Sequence, residues 1–235
     1  MRAIIALCAL LAAPAGAATQ PSNFTAPEGC VLDMTVQLRS CTVVQQMRCG
    51  GGATPDRRAI YFDRSGPFHD SLIDHETRWL EMTDLRENYA SRLDPEARSH
   101  ASFTRLVETG RDDFDFWMID AGGYRINHRG TDVLTGRSIE VDGVTLEITR
   151  FRDEARDGSG LLLYTREGHQ FIKRDARIFF GGTETYTLGG ADEAAKLDDT
   201  PVQIRREGQP GFGATRPQFG CDPMISSGPR QGRPA

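Results

Sequence analysis

The chain has 235 residues, of which 38% are hydrophobic and 26% charged, with a formal net charge of −5. That balance excludes a disordered or low-complexity chain, and the length suits one largish domain with a substantial core. Mild acidity argues against nucleic acid and anionic membrane surfaces as partners.

Residues 1–17 have the build of a secretory signal peptide: Arg2, an apolar run from Ala3 to Ala13, the break at Pro14, and Ala15-Gly16-Ala17 as a small-x-small cleavage site. Cys8 lies midway along the apolar run behind Leu7, so it belongs to the signal rather than to a lipidation site. Cleavage near Ala17 sends the mature protein to the periplasm or the exterior. No second apolar stretch reaches the ~18 residues of a membrane helix, so the mature chain is expected to be soluble, without a membrane span. Only Lys173 and Lys196 interrupt a basic set that is otherwise Arg, scattered along the chain, which is the codon bias of a GC-rich bacterial genome. In such a source the glycosylation sequon Asn23-Phe24-Thr25 is accidental.

Outside the cytoplasm, Cys30, Cys41, Cys49 and Cys221 are disulfide candidates with three possible pairings. Residues 18–29 read as a linker. From Cys30, Leu32, Met34, Val36 and Leu38 alternate with polar residues as a strand, and 42–47 follows as its partner. A turn at Arg39-Ser40 sets Cys30 opposite Cys49 and leaves Cys41 for Cys221, although neither turn residue favours positive φ. Residues 58–63 form a short strand ended by Arg64-Ser65-Gly66-Pro67, and 69–81 reads as one long strand. Asp94-Pro95 is an N-cap and first-turn proline for a helical region over 94–109, with Phe103, Leu106 and Val107 as its stripe and Gly110 as its C-cap.

Beyond the helix the pattern is almost all strand. Residues 114–119 form one run. Residues 138–151 form a hairpin about Asp142-Gly143. Residues 161–165 and 170–173 pair across Glu167-Gly168, and 177–180 with 183–187 around Gly181-Gly182. Residues 206–235 hold a Pro/Gly-rich, irregular tail tied by Cys221. The domain is therefore 30–205, and its class is mainly β (α+β by element count). An antiparallel meander forms a curled sheet, half-barrel or sandwich, with one helical insertion around 94–110. At the level of architecture this resembles the lipocalin-type and lipoprotein-carrier-type folds of bacterial envelopes. No motif of those families is matched, so no site residue carries over.

Chemistry-bearing motifs are sparse. His69 and His75 share a strand face but lie on the order of 20 Å apart at ~3.3 Å per residue, with Asp74 and Glu76 on the other face, which argues against a shared metal ion. Asp112, Asp113 and Asp115 read as a solvated run after the helix. Asp153–Gly158 begins like a calcium loop but has Ala155 and Tyr164 where ligands are needed. Gly208–Gly213 does not lead from a strand into a helix, and neither G-x-S-x-G nor Cys-x-x-Cys occurs. His100, His128 and His169 are isolated in sequence. Arg129–Gly136 reads as a polar loop between two glycines, with Arg129, Asp132 and Thr135 as ligand-contact candidates.

No catalytic residue, metal or cofactor is assigned. The expected function is a non-enzymatic binding or carrier module for a small apolar ligand, its interior built from Phe116, Val141, Leu146, Leu163, Phe171 and Phe179. The alternatives are an envelope protein-interaction module using a sheet edge or the tail, and a metal- or carboxylate-dependent hydrolase built on 69–76 and 112–115.

Overall fold

The computed structural model describes residues 24–221. The expected signal peptide at 1–17, the start of the linker and the end of the tail lie outside the described residues.

Alternation at the start of the domain folds as expected from Met34 to Leu38, but a register shift between Leu32 and Met34 takes Leu32 off their common face. Strands β1 (Cys30–Leu38) and β2 (Thr42–Cys49) pair with Cys30 opposite Cys49, and the two are disulfide-bonded. The connection is a three-residue turn, with Cys41 in the left-handed region at φ 56. That conformation resolves the poor turn chemistry of Arg39-Ser40, because the positive φ falls on the next residue. Cys41 is held there by its disulfide to Cys221.

The meander continues through β3 (Asp56–Asp63), β4 (Gly66–Ile73), β5 (Trp79–Asp84) and β6 (Tyr89–Leu93) to a short helix, α1 (Phe103–Thr109). It resumes with β7 (Arg111–Asp120), β8 (Arg125–Val141), β9 (Val144–Asp157), β10 (Leu162–Lys173), β11 (Ile178–Phe180), β12 (Thr183–Leu188), β13 (Ala195–Asp198) and β14 (Pro201–Arg205). The described strands form a single antiparallel sheet in the order β13-β12-β10-β9-β8-β7-β6-β5-β4-β3-β2-β1-β14, with β11 also on β10. One buried cluster unites Met34, Val36 and Val44 of β1–β2 and Ile204 of β14 with Leu146, Phe171 and Ile178 of β9–β11. Strands so far apart in sheet order share a core only if the sheet curls onto itself. The two end strands, β13 and β14, are not hydrogen-bonded to each other; Asp199 and Thr200 alone join them.

Four local expectations change. Residues 69–81 are a hairpin, not one strand. The Asp74 side chain accepts the N–H groups of Glu76 and Arg78 (2.9 and 3.0 Å), and Thr77 turns the chain at φ 62. The helix starts at Phe103 with Ser102 as its N-cap, Ser102 Oγ accepting from Arg105 N at 3.1 Å. Residues 94–101 offer only Ala97 and Ala101 to the core, so Asp94 caps a turn and Arg125 binds its carboxylate instead. Gly110 ends the helix at φ 80, as expected.

The third and fourth changes share a cause. Residues 162–173 are one strand, with Gly168 inside it, and β11 and β12 both pair with β10 rather than with each other. A Cβ at Gly168 would lie 2.0 Å from the Thr183 carbonyl oxygen, so glycine marks close backbone approach here, not a turn. Gly168→Ala is expected to cost about 1–3 kcal/mol, because β10 and β12 must separate. Urea unfolding checks this; an unchanged midpoint would refute it.

The tail has no core of its own, yet its described part is docked. Gly213 N–H donates to Thr35 Oγ1 and Gln45 Nε2 donates to the Ala214 carbonyl, both at 2.7 Å. Gln37 exchanges hydrogen bonds with the Arg216 carbonyl (3.1 Å) and Gln218 N–H (2.9 Å). Thr35, Gln37 and Gln45 are consequently buried on the polar face of the β1–β2 hairpin.

Candidate functional site

Alternation aims one parity of β7–β12 into the curl. On β7 it carries Asp112, Phe114, Phe116 and Met118, all buried; on β8, Ile126, His128, Gly130 and Asp132; on β9, Phe151, Asp153 and Ala155. Strand register sets these side by side. One row runs Asp112–Asp132–Phe151–Gly168–Glu184, the next Phe114–Gly130–Asp153–Arg166–Tyr186, and the third Phe116–His128–Ala155–Tyr164. Gly130 leaves room for its neighbour: a Cβ there would be 2.6 Å from Phe114 Cζ. The Arg166 guanidinium stands 5.5 Å over the Phe151 ring.

Between these rows and β3–β5, including Tyr61, His69 and Trp79, lies a cavity of about 200 Å³. Asp132, Asp153 and Arg166 reach it, among rings that include Phe114, Phe116 and Tyr164. His128, 1% exposed, stands behind the lining, stacked on Phe116 (5.5 Å) and edge-on to Trp79 (4.9 Å). Its Nδ1 is 3.3 Å from Asp153 Oδ2.

The charges of this interior are unevenly matched. Arg105 binds Asp112 (Nε–Oδ1 2.6 Å) and Arg166 binds Glu184 (Nη2–Oε2 2.6 Å). Asp132 Oδ1, Asp153 Oδ1 and His128 Nε2 are buried without a hydrogen-bond partner among the described residues. Burial, reinforced by Asp112 and Asp153 and opposed by Arg166, pushes the Asp132 carboxyl up to about 8. Burial first, then Asp153, raises the Tyr164 phenol. Burial disfavours the Arg166 cation, but Glu184 more than offsets it, and the guanidinium stays charged. The arrangement therefore presents carboxyl groups and aromatic faces to whatever enters.

A carboxyl ionising at ~3.9 when unfolded but near 8 when folded binds more protons in the folded state between those values. Its contribution is complete below pH ~4 and is lost as pH rises through about 8. Asp132→Asn is therefore expected to gain melting temperature relative to the parent from about pH 5 upward and to level off above about pH 8. Paired thermal melts test it, and a pH-independent difference would refute it.

The sequence candidates fall in different places. Arg129–Gly136 is strand within β8, not a loop, and alternation separates its residues. Asp132 faces the cavity. Arg129 points outward to a groove with Arg111, Asp113, Asp115, Arg152 and Glu154. Thr135 Oγ1 donates to the Ile148 carbonyl at 2.8 Å, beside a register shift.

Asp112, expected in a solvated run, is buried on β7, where burial raises its carboxyl against the pull of Ser102 N–H and Arg105. Asp113 is the exposed member, lowered by Arg111. Glu76 braces α1. Against burial, hydrogen bonds from Thr104 and Ser102, with Arg177, hold it down to about 2. Asp153–Gly158 lies mostly on β9.

Of the six residues expected to build a ligand interior, Phe116 and Phe179 line the cavity. Leu146 and Phe171 pack in the closed core with Val141 against it, and Leu163 joins a third cluster. His128, Asp153, Arg166 and Glu184 belong to no local sequence motif. Their signal was a charged or imidazole side chain on the apolar parity of a strand, as with Asp153 between Phe151 and Ala155.

Among the described residues no group of three or more His, Cys, Asp or Glu could hold a metal ion, and no helix is long and apolar enough to cross a membrane. Compared with known protein families, curated proteins and solved structures, the chain gives no significant match.

Proposed function

We propose that the protein is a binding or carrier module, working in the periplasm or outside the cell, that holds a small, largely apolar ligand within its curled sheet. The observation that carries this reading is the cavity of about 200 Å³, walled by aromatic rings and lined also by Asp132 and Asp153, each with one buried carboxylate oxygen that has no hydrogen-bond partner among the described residues. Protein cores pack with few voids larger than a water, and buried polar atoms without partners are costly, so such a space calls for an occupant. Its size suits a body of one ring with a short side arm. Two disulfides and the signal-like residues 1–17 support the compartment. The described tail, occupied by its own β1–β2 hairpin, gives the docking-arm alternative no added support.

Native mass spectrometry of protein purified from its exported fraction tests the reading. A small-molecule mass increment that is released on unfolding is the expected result. A bare mass, together with no thermal shift from a panel of single-ring compounds, would overturn it.

A further inference from the structure

Two interior carboxylates reach the cavity without a committed cation. Asp112 and Glu184 each hold an arginine, whereas Asp153 meets His128 at 3.3 Å and Asp132 Oδ1 has no hydrogen-bond partner among the described residues. Asp153 is 3% exposed, and its Oδ1 has no partner among the described residues. Asp132 and Asp153 are diagonal neighbours on β8 and β9, since Asp132 pairs with Phe151 and Gly130 with Asp153. That relation places their Cα atoms roughly 7–8 Å apart, a span one nitrogen donor can bridge through two carboxylates. The remaining wall, with Trp79, Phe114, Phe116 and Tyr164, offers π-faces, which attract cations as well as apolar bodies.

Resting on the binding-module reading, we propose that the ligand is a small primary amine whose ammonium group donates to Asp132 and Asp153 while its apolar body lies among these rings. A neutral alcohol satisfies the acceptors but brings no charge, and an anion meets carboxylates. Arg57, the cationic group on the β3 wall, is engaged by Asp33 at 2.8 Å, and Arg166 by Glu184. The field at Asp132 is set by Asp112 with Arg105, by Asp153 with His128, and by Arg166 with Glu184, with His69 on the facing wall. Because Asp132 is held largely protonated near neutrality, an ammonium ion takes its place beside the carboxyl by expelling that proton.

Isothermal titration with three probes of matched shape decides the matter: 2-phenylethylamine, 2-phenylethanol and 3-phenylpropanoate. The amine is expected to bind about tenfold more tightly than the alcohol, the margin between charge-assisted and neutral hydrogen bonds, and the acid is expected not to bind. Titration of the amine in buffers of different ionisation enthalpy is expected to show proton release. Asp153→Asn is expected to shrink the ratio of amine to alcohol affinity, and Asp132→Asn serves as the second variant should the first not fold. Equal binding of amine and alcohol, or preference for the acid, would overturn the amine assignment and leave the binding module standing. No binding by any of the three would overturn the amine assignment, and together with a bare native mass it would remove the binding module as well.

Discussion

Replacing Cys41 and Cys221 together by serine is expected to cost about 5 kcal/mol, against about 3 kcal/mol for the Cys30/Cys49 pair. A disulfide acts largely on the unfolded chain, and the entropy it removes grows with the loop it closes. The two bridges span 180 and 19 residues. The longer one has a second role, because the segment it anchors caps buried Thr35, Gln37 and Gln45. Once it is cut, those groups keep their partners only through the local bonds of residues 213–218. Domains of this kind are stable by only ~5–15 kcal/mol, so the double variant is expected to sit near its unfolding threshold at ambient temperature. Urea unfolding of both double-serine variants measures the difference. A smaller loss for Cys41/Cys221 than for Cys30/Cys49 would show that the tail holds its place without the bridge.

Arg166→Met is expected to cost about 3–5 kcal/mol. The Arg166 and Glu184 side chains are 16% and 6% exposed, and Asp153 lies directly opposite Arg166 on β9. Removing the guanidinium leaves the buried Glu184 carboxylate without the cation it is bonded to, and breaking a buried pair from one side carries that magnitude. Adding Glu184→Leu is expected to restore much of the loss, since replacing both partners of a buried pair by apolar residues is often neutral. A double-mutant cycle read by chemical denaturation tests this. Near-additive losses would mean that Arg166 matters for packing over Phe151 rather than for its charge.

The elements read from local chemistry are the ones that formed. Asp142-Gly143 turned a hairpin, with Asp142 at φ 50 and Gly143 at φ 74, and Cys30 stands opposite Cys49, although a register shift between Leu32 and Met34 interrupts the alternation between them. What misled was residue identity with two physical meanings. Gly168 resembles a turn glycine but serves close strand approach, and Asp94-Pro95 resembles a helix start where no apolar stripe follows to pay for one. Gln37 and Gln45 look solvent-facing, because nothing local announces that residues 213–218 return to cover them.

The site was illegible for a related reason. Phe114, Asp153 and Arg166 become neighbours through strand pairing and belong to no single motif. Sequence proximity groups Asp132 with Arg129 and Thr135, from which strand alternation separates it.

The covalent joint at Asp199-Thr200 also bears on the order in which the chain assembles. Strand β1 is among the first parts of the domain to be synthesised, and its outer edge is completed only when β14 arrives, with Thr35 pairing to Arg205. Until then Thr35, Val36, Gln37 and Leu38 sit on an unpaired β edge, the kind of template that recruits other chains. Pairing of such high sequence separation is slow to form. The period between the emergence of β2 and that of β14 is thus the stretch of the protein's life in which aggregation competes most directly with folding, and a holdase acting on the nascent chain would have its substrate there.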